Sequence, residues 1–169
     1  ILGLYERTKL LNVVATGGTR EVQHGDALVI MAVDVLLEAA EAGVGDAQRW
    51  ALWAAFALRR AIAASPCNHR LKLQALLAQR ALAAYAPAIA TFNSLQVKHV
   101  QMDTLSYLLL PSLLRLGFFS EAMLQCEHVK RMHRGAAREA SEWSAKAIAL
   151  GNYMQAAEIV HFQGARMDV

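Results

Sequence analysis

Cysteine is scarce in this chain of 169 residues: Cys67 and Cys126 stand far apart, and neither belongs to a C-x-x-C pair. A disulfide scaffold is therefore not expected, and a reducing, cytoplasmic compartment fits. Charged residues make up only 18% against 56% hydrophobic, a balance that argues for a buried core and against disorder. Long apolar runs are also missing. The longest uncharged stretch, Ala81 to Val97, contains Pro87, Asn93, Ser94 and Gln96, so no segment of about 20 apolar residues is available to span a bilayer. Glu6, Arg7 and Lys9 interrupt the apolar start, which does not read as a signal peptide. The net charge of +3 neither demands nor excludes an acidic partner. With only three prolines and with alanine and leucine dominant, intrinsic propensity favours helix.

Catalytic patterns are absent as well. The sequence has no G-x-S-x-G, no H-E-x-x-H, no phosphate-binding G-x-x-x-x-G-K-[ST] and no [RQ]-x-x-G-x-[GA] loop for acetyl-CoA. His128 and His133 are five apart, too far round a helix to share a zinc ion, and they read as surface residues. No cofactor or metal is expected, and the chain does not read as an enzyme.

What is present is a row of helices. Asp26 is placed to N-cap a helix to about Ala42, stopped by Gly43 and Gly45. Asp46 caps a second, which carries Trp50 and Trp53 as inter-helix packing residues and ends at Ser65-Pro66. Asn68 caps a third; a short one runs from Ala86 to Leu95. Asp103 starts a helix to Leu116, kinked at Pro111. Ser120 caps a helix to His133, Gly135 breaks it, and helices follow over Ala136–Leu150 and Tyr153–Phe162. The first 16 residues also look helical, before a Gly17-Gly18-Thr19 loop. No stretch alternates as a strand, so the expected class is all-α, in antiparallel helix pairs.

A repeat runs through this row. Leu82, Leu116 and Leu150 are 34 residues apart, as are Tyr85, Phe119 and Tyr153, and Ala88, Ala122 and Ala156. The shared form is Leu, small, any, aromatic, any, any, Ala; Ala54 continues the last column one step back. Thirty-four residues is the tetratricopeptide period, and it predicts a superhelical solenoid. The small residue closes the turn, the aromatic plugs the gap beside it, and the alanine permits close helix approach. In this phase Arg70, Leu73, Leu77 and Arg80 face the groove, followed by Thr104, Tyr107, Pro111 and Arg115 and then by Arg138, Ser141 and Ile148. Arginine suits carboxylate or phosphate recognition, so Arg70, Arg80, Tyr107 and Arg115 are candidates for binding an acidic partner; the plainer reading is a solvated face. Lys130, Arg131, Arg134 and Arg138 cluster where a helix is expected to end. They read as cations complementing that helix terminus rather than as a nucleic-acid or inositol-phosphate site.

One segment goes beyond repeat packing. Phe92-Asn93-Ser94-Leu95-Gln96-Val97-Lys98-His99-Val100-Gln101-Met102-Asp103-Thr104-Leu105 resembles a signature, F/Y-x-S-L-D-[IVA]-K-H-[IV]-Q-x-D-T-[IL], of the non-catalytic subunits of N-terminal acetyltransferase B (NatB). Ser65-Pro66-Cys67-Asn68-His69-Arg70-Leu71-Lys72-Leu73 is similar to the S-P-x-N-x-x-L-K-L stretch of that family, and Ala147–Tyr153 and Ala156–Phe162 continue the likeness. It covers Asp26 to Gln163; Gln96 stands where the family has an acid, and Ala83 where it has glycine. The resemblance implies a tetratricopeptide-like auxiliary subunit that enfolds a GNAT-fold catalytic subunit, helps place it at the ribosome, and so serves acetylation of nascent chains beginning Met-Asp, Met-Glu, Met-Asn or Met-Gln. No membrane and no direct nucleic-acid contact is implied. Family members are several times longer, and the chain opens on Ile1, so residues 1–169 read as one central segment of a longer protein, with 1–25 its least defined part. Lys98, His99 and Gln101 either bond the backbone of an inter-repeat connection, beside an Asp103 or Thr104 cap, or touch the catalytic subunit. The alternative function is a general tetratricopeptide adaptor for acidic or C-terminal peptides.

Overall fold

The computed structural model describes residues 1–8, 22–97 and 100–166, all helices and connecting turns, with no strand among them. The chain divides into two compact units, Ile1–Val97 and Lys98–Val169. None of the described helices is long and apolar enough to cross a membrane.

The first unit comprises α1 (Leu2–Thr8), α2 (Asp26–Glu41), α3 (Ala47–Ala64), α4 (His69–Ala81) and α5 (Tyr85–Ser94). From α2 onward short turns make successive helices antiparallel neighbours; α3 packs on both α2 and α4, and α4 on α5. The packed side of α3 is Ala51, Ala54, Leu58 and Ala61, spaced three and four apart. The alanines let the neighbours approach closely, and Leu58 fills the space with Val29, Val33 and Leu71. Each fully buried Val or Leu contributes about 2 kcal/mol. Asp46 accepts the Arg49 N–H and Asn68 accepts the N–H groups of Arg70 and Leu71, so both cap as expected.

Asp26 does not cap α2. The N-cap residue is Gly25, and the Asp26 side chain turns inward, only 1% exposed. There its carboxylate accepts the Gln23 N–H at 3.1 Å, the Ser65 hydroxyl at 3.1 Å and the Asn68 amide at 2.8 Å. The last two partners lie beyond α3, so a local capping rule cannot see them. Gly25 is required here for space: a Cβ would overlap Thr8 Oγ1 and crowd the Tyr5 ring.

One turn recurs at three positions 34 residues apart, and the same turn also ends α2 at Gly43, outside that register. Ala84 N–H bonds Gln79 O, Phe118 N–H bonds Leu113 O, and Asn152 N–H bonds Ala147 O, each across a residue of positive φ: Ala83 at 53°, Gly117 at 78°, Gly151 at 73°. This is the helix stop in which a left-handed residue returns the chain onto its own last turn. The next helix then starts identically, with the N–H groups of Ala88, Ala122 and Ala156 on the carbonyls of residues 84, 118 and 152. All three alanines are buried, as is Ala54. The aromatic column departs from expectation. Tyr85 is half-buried, but Phe119 and Tyr153 are 63% and 69% exposed and plug no gap.

The second unit comprises α6 (Val100–Leu105), a 3₁₀ turn (Ser106–Leu108), α7 (Leu110–Arg115), α8 (Phe119–Ala149) and α9 (Tyr153–Arg166). Three expectations are corrected. The helix before Pro111 is interrupted, not merely kinked: Pro111 sits in the first turn of α7, where its missing N–H costs nothing. Ser120 is not a cap, since α8 starts at Phe119. Gly135 does not break the helix either; α8 runs unbroken for 31 residues. A glycine lowers helix propensity by only about 1 kcal/mol, which its long helical neighbourhood overrides.

Candidate functional site

No group of His, Cys, Asp or Glu among the described residues could hold a metal ion. The candidate features are helix faces. In the first unit, Arg70, Leu73, Leu77 and Arg80 fall on one side of α4, with Arg70 and Leu77 exposed and Leu73 and Arg80 half-buried. Gln74 on this helix donates its amide to Asp34 of α2 at 2.7 Å and ties the edges of the two helices together. Exposed Met31 and Val35 flank Asp34 on α2. Lys72 reaches across to the Ser94 carbonyl at 2.8 Å and fixes the end of α5 against α4. The α4 stripe is thus held rigidly on two sides, which suits a preformed contact surface.

In the second unit, Tyr107 stands exposed on the 3₁₀ turn and Arg115 exposed in the last turn of α7. The interruption at residues 106–109 means that Tyr107, Pro111 and Arg115 do not lie on one continuous helix, so the register that placed them on a common face does not apply there. Lys98 and His99 lie outside the described residues. The side chain of Gln101 is exposed and its carbonyl accepts the Thr104 hydroxyl at 3.3 Å. With α6 starting at Val100, neither Asp103 nor Thr104 occupies a cap position.

A cleft of about 1290 Å³ lies between α8 and α9, with Met132, Trp143, Met154 and Phe162 among its apolar walls and Arg131 and Glu158 at its rim. His128 is half-buried in its wall, and half-buried His133 lies 6.3 Å from the ring of Phe162, so neither is a free surface histidine. Lys130, Arg131, Arg134 and Arg138 sit in mid-helix because α8 continues to Ala149, which removes the helix-terminus explanation for them. Lys130 pairs with Glu127 at 3.4 Å.

The two tryptophans of α3 also differ from expectation. The Trp50 indole donates to the Val44 carbonyl at 2.6 Å and fastens the α2–α3 turn. Trp53 does not pack between helices; it is half-exposed beside Phe56. The sequence signal for this was the presence of large apolar residues on both sides of α3, which a reading of its packed side alone overlooks.

Comparison with known proteins gives a consistent result. The family model described as "N-acetyltransferase B complex (NatB) non catalytic subunit" matches residues 2–166. The mouse protein named N-alpha-acetyltransferase 25, NatB auxiliary subunit, is 30% identical over 145 residues, covering 85% of this chain and 14% of the mouse protein. Its human counterpart is 28% identical over 144 residues, with the same shares. The chain therefore spans about one seventh of the length of these relatives.

Proposed function

We propose that this chain, which belongs to the family of NatB non-catalytic subunits, forms part of the scaffold on which the GNAT-fold catalytic subunit of NatB is held. The observation that carries this reading is the family match across residues 2–166. The repeated turn at residues 83, 117 and 151 supports a tetratricopeptide-type construction for the helix pairs, because a solenoid is built from one local unit used again. On this reading the chain binds no cofactor and acts by presenting a preformed surface. The complex it serves works in the cytoplasm at the ribosome and acetylates chains beginning Met-Asp, Met-Glu, Met-Asn or Met-Gln.

The residues proposed to meet the catalytic subunit are Arg70 and Arg80 on α4, Tyr107 and Arg115 in the second unit, and Lys98, His99 and Gln101 in the signature segment. Arginine forks on a rigid helix pair well with carboxylates of a partner surface. Co-purification of the full-length subunit with the NatB catalytic subunit tests the reading. A stable pair, weakened by Arg70→Glu with Arg80→Glu at unchanged melting temperature, is the expected result. No association between two well-folded proteins would refute it in favour of a general peptide adaptor.

A further inference from the structure

We propose that the outward face of α3 is a docking surface for an acidic amphipathic helix of a protein partner. The packed side of α3 meets α2 and α4, so its other side points away from both and is separate from the arginine stripe of α4. That outward side carries Leu52, Trp53 and Phe56, which are 55%, 50% and 55% exposed. These positions are three and four apart and form one patch. A solvated helix face normally carries polar side chains; a contiguous cluster of large apolar ones marks an interaction site.

Two further observations fix the chemistry of the occupant. Trp53 and Phe56 meet edge to face, with ring centroids 6.3 Å apart and planes at 90°, so both rings are oriented before any partner arrives. Arg49 stands one turn before the patch and Arg59 and Arg60 one turn after it, while α3 contains no Asp or Glu. Arg60 is engaged by Glu6 at 3.3 Å. Arg49 and Arg59 make no ion pair among the described residues; the neighbouring Asp46 carboxylate caps α3 by accepting the Arg49 backbone N–H. An apolar, aromatic centre bounded by arginines is the composition of a protein interface core with its rim. The complement is a helix of about three turns that presents apolar side chains between carboxylates spaced roughly 15 Å apart along its axis.

The test uses the full chain and three probes: a designed helical peptide with leucine and phenylalanine on one side and glutamates at both ends, the same peptide with lysines in place of the glutamates, and vesicles of phosphatidylcholine with phosphatidylserine. The glutamate peptide should bind, more weakly as salt rises. Trp53→Ala should lower its affinity by about tenfold or more. Arg49→Glu combined with Arg59→Glu should transfer the preference to the lysine peptide, with helicity and melting temperature unchanged because both positions are exposed. Equal binding of the two peptides, affinity unaffected by either variant, or tighter binding to the vesicles that the same substitutions abolish would overturn the proposal.

Discussion

Asn68 donates its side-chain amide to the Asp26 carboxylate at 2.8 Å, across 42 residues of chain. The other end of the same amide caps α4, so one side chain joins the start of α2 to the start of α4. Asp26 is also the acceptor for Ser65, which ends α3. Three helix termini of the first unit therefore converge on one buried carboxylate.

Asp26→Ala should be strongly destabilising, because it leaves the Ser65 hydroxyl and the Asn68 amide buried without their acceptor. A loss of about 2–4 kcal/mol is expected in chemical denaturation of the chain. Asp26→Asn should cost less, since one oxygen remains to face Asn68 and the Ser65 hydroxyl can rotate to accept. Equal losses for the two variants would show that packing, not hydrogen bonding, governs the position.

The turn series gives a paired prediction. Gly117→Ala and Gly151→Ala place a Cβ at φ 78° and 73° and should each cost about 1 kcal/mol. Ala83→Gly should do the reverse and stabilise by a similar amount, because Ala83 already sits at φ 53°. Thermal melting of the three variants reads both signs.

Gly135→Ala should stabilise the chain by about 0.5–1 kcal/mol, because Gly135 lies within α8 and an added Cβ meets nothing within 4 Å. A destabilised variant would mean that Gly135 occupies a turn and that α8 is two helices.

Tyr5 gives a pH prediction. Burial pushes its phenol above the usual value of 10.0, Asp26 and Glu6 push further the same way, and Arg60 opposes them. The folded state therefore holds the phenolic proton more tightly than the unfolded state. Its contribution is complete below about pH 10 and is lost as pH rises from there through the folded value. Tyr5→Phe should flatten this part of the stability profile, which a denaturation series between neutral and strongly alkaline pH measures.

The parts of the fold legible from the sequence are those set by neighbours in the chain. Asp46 and Asn68 cap helices that begin one residue later, and the turns at Ala83, Gly117 and Gly151 depend on a few adjacent residues, so motif and structure coincide there. The inward turn of Asp26 is not legible locally, because its partners Ser65 and Asn68 come from beyond α3. The continuity of α8 through Gly135 is not legible either, because a single glycine is a weak stop against the helical propensity on both sides. The period places Arg70 and Arg80 on an expected groove face; on α4 the continuous helix keeps them on one side, whereas at Tyr107 the 3₁₀ turn resets the register. The apolar patch on α3 is not legible from the packed side of that helix, because Trp53 reads there as an inter-helix packing residue and Leu52 and Phe56 lie off that side.

The most direct measurement is the acetylation rate of a Met-Asp peptide by the NatB catalytic subunit, with and without the full-length form of this subunit, acetyl-CoA being supplied. A marked rise in rate with the pair, and no acetyl transfer by this subunit alone, is the expected result. An unchanged rate with both proteins folded, or transfer by this subunit in the absence of the catalytic one, would refute the auxiliary role.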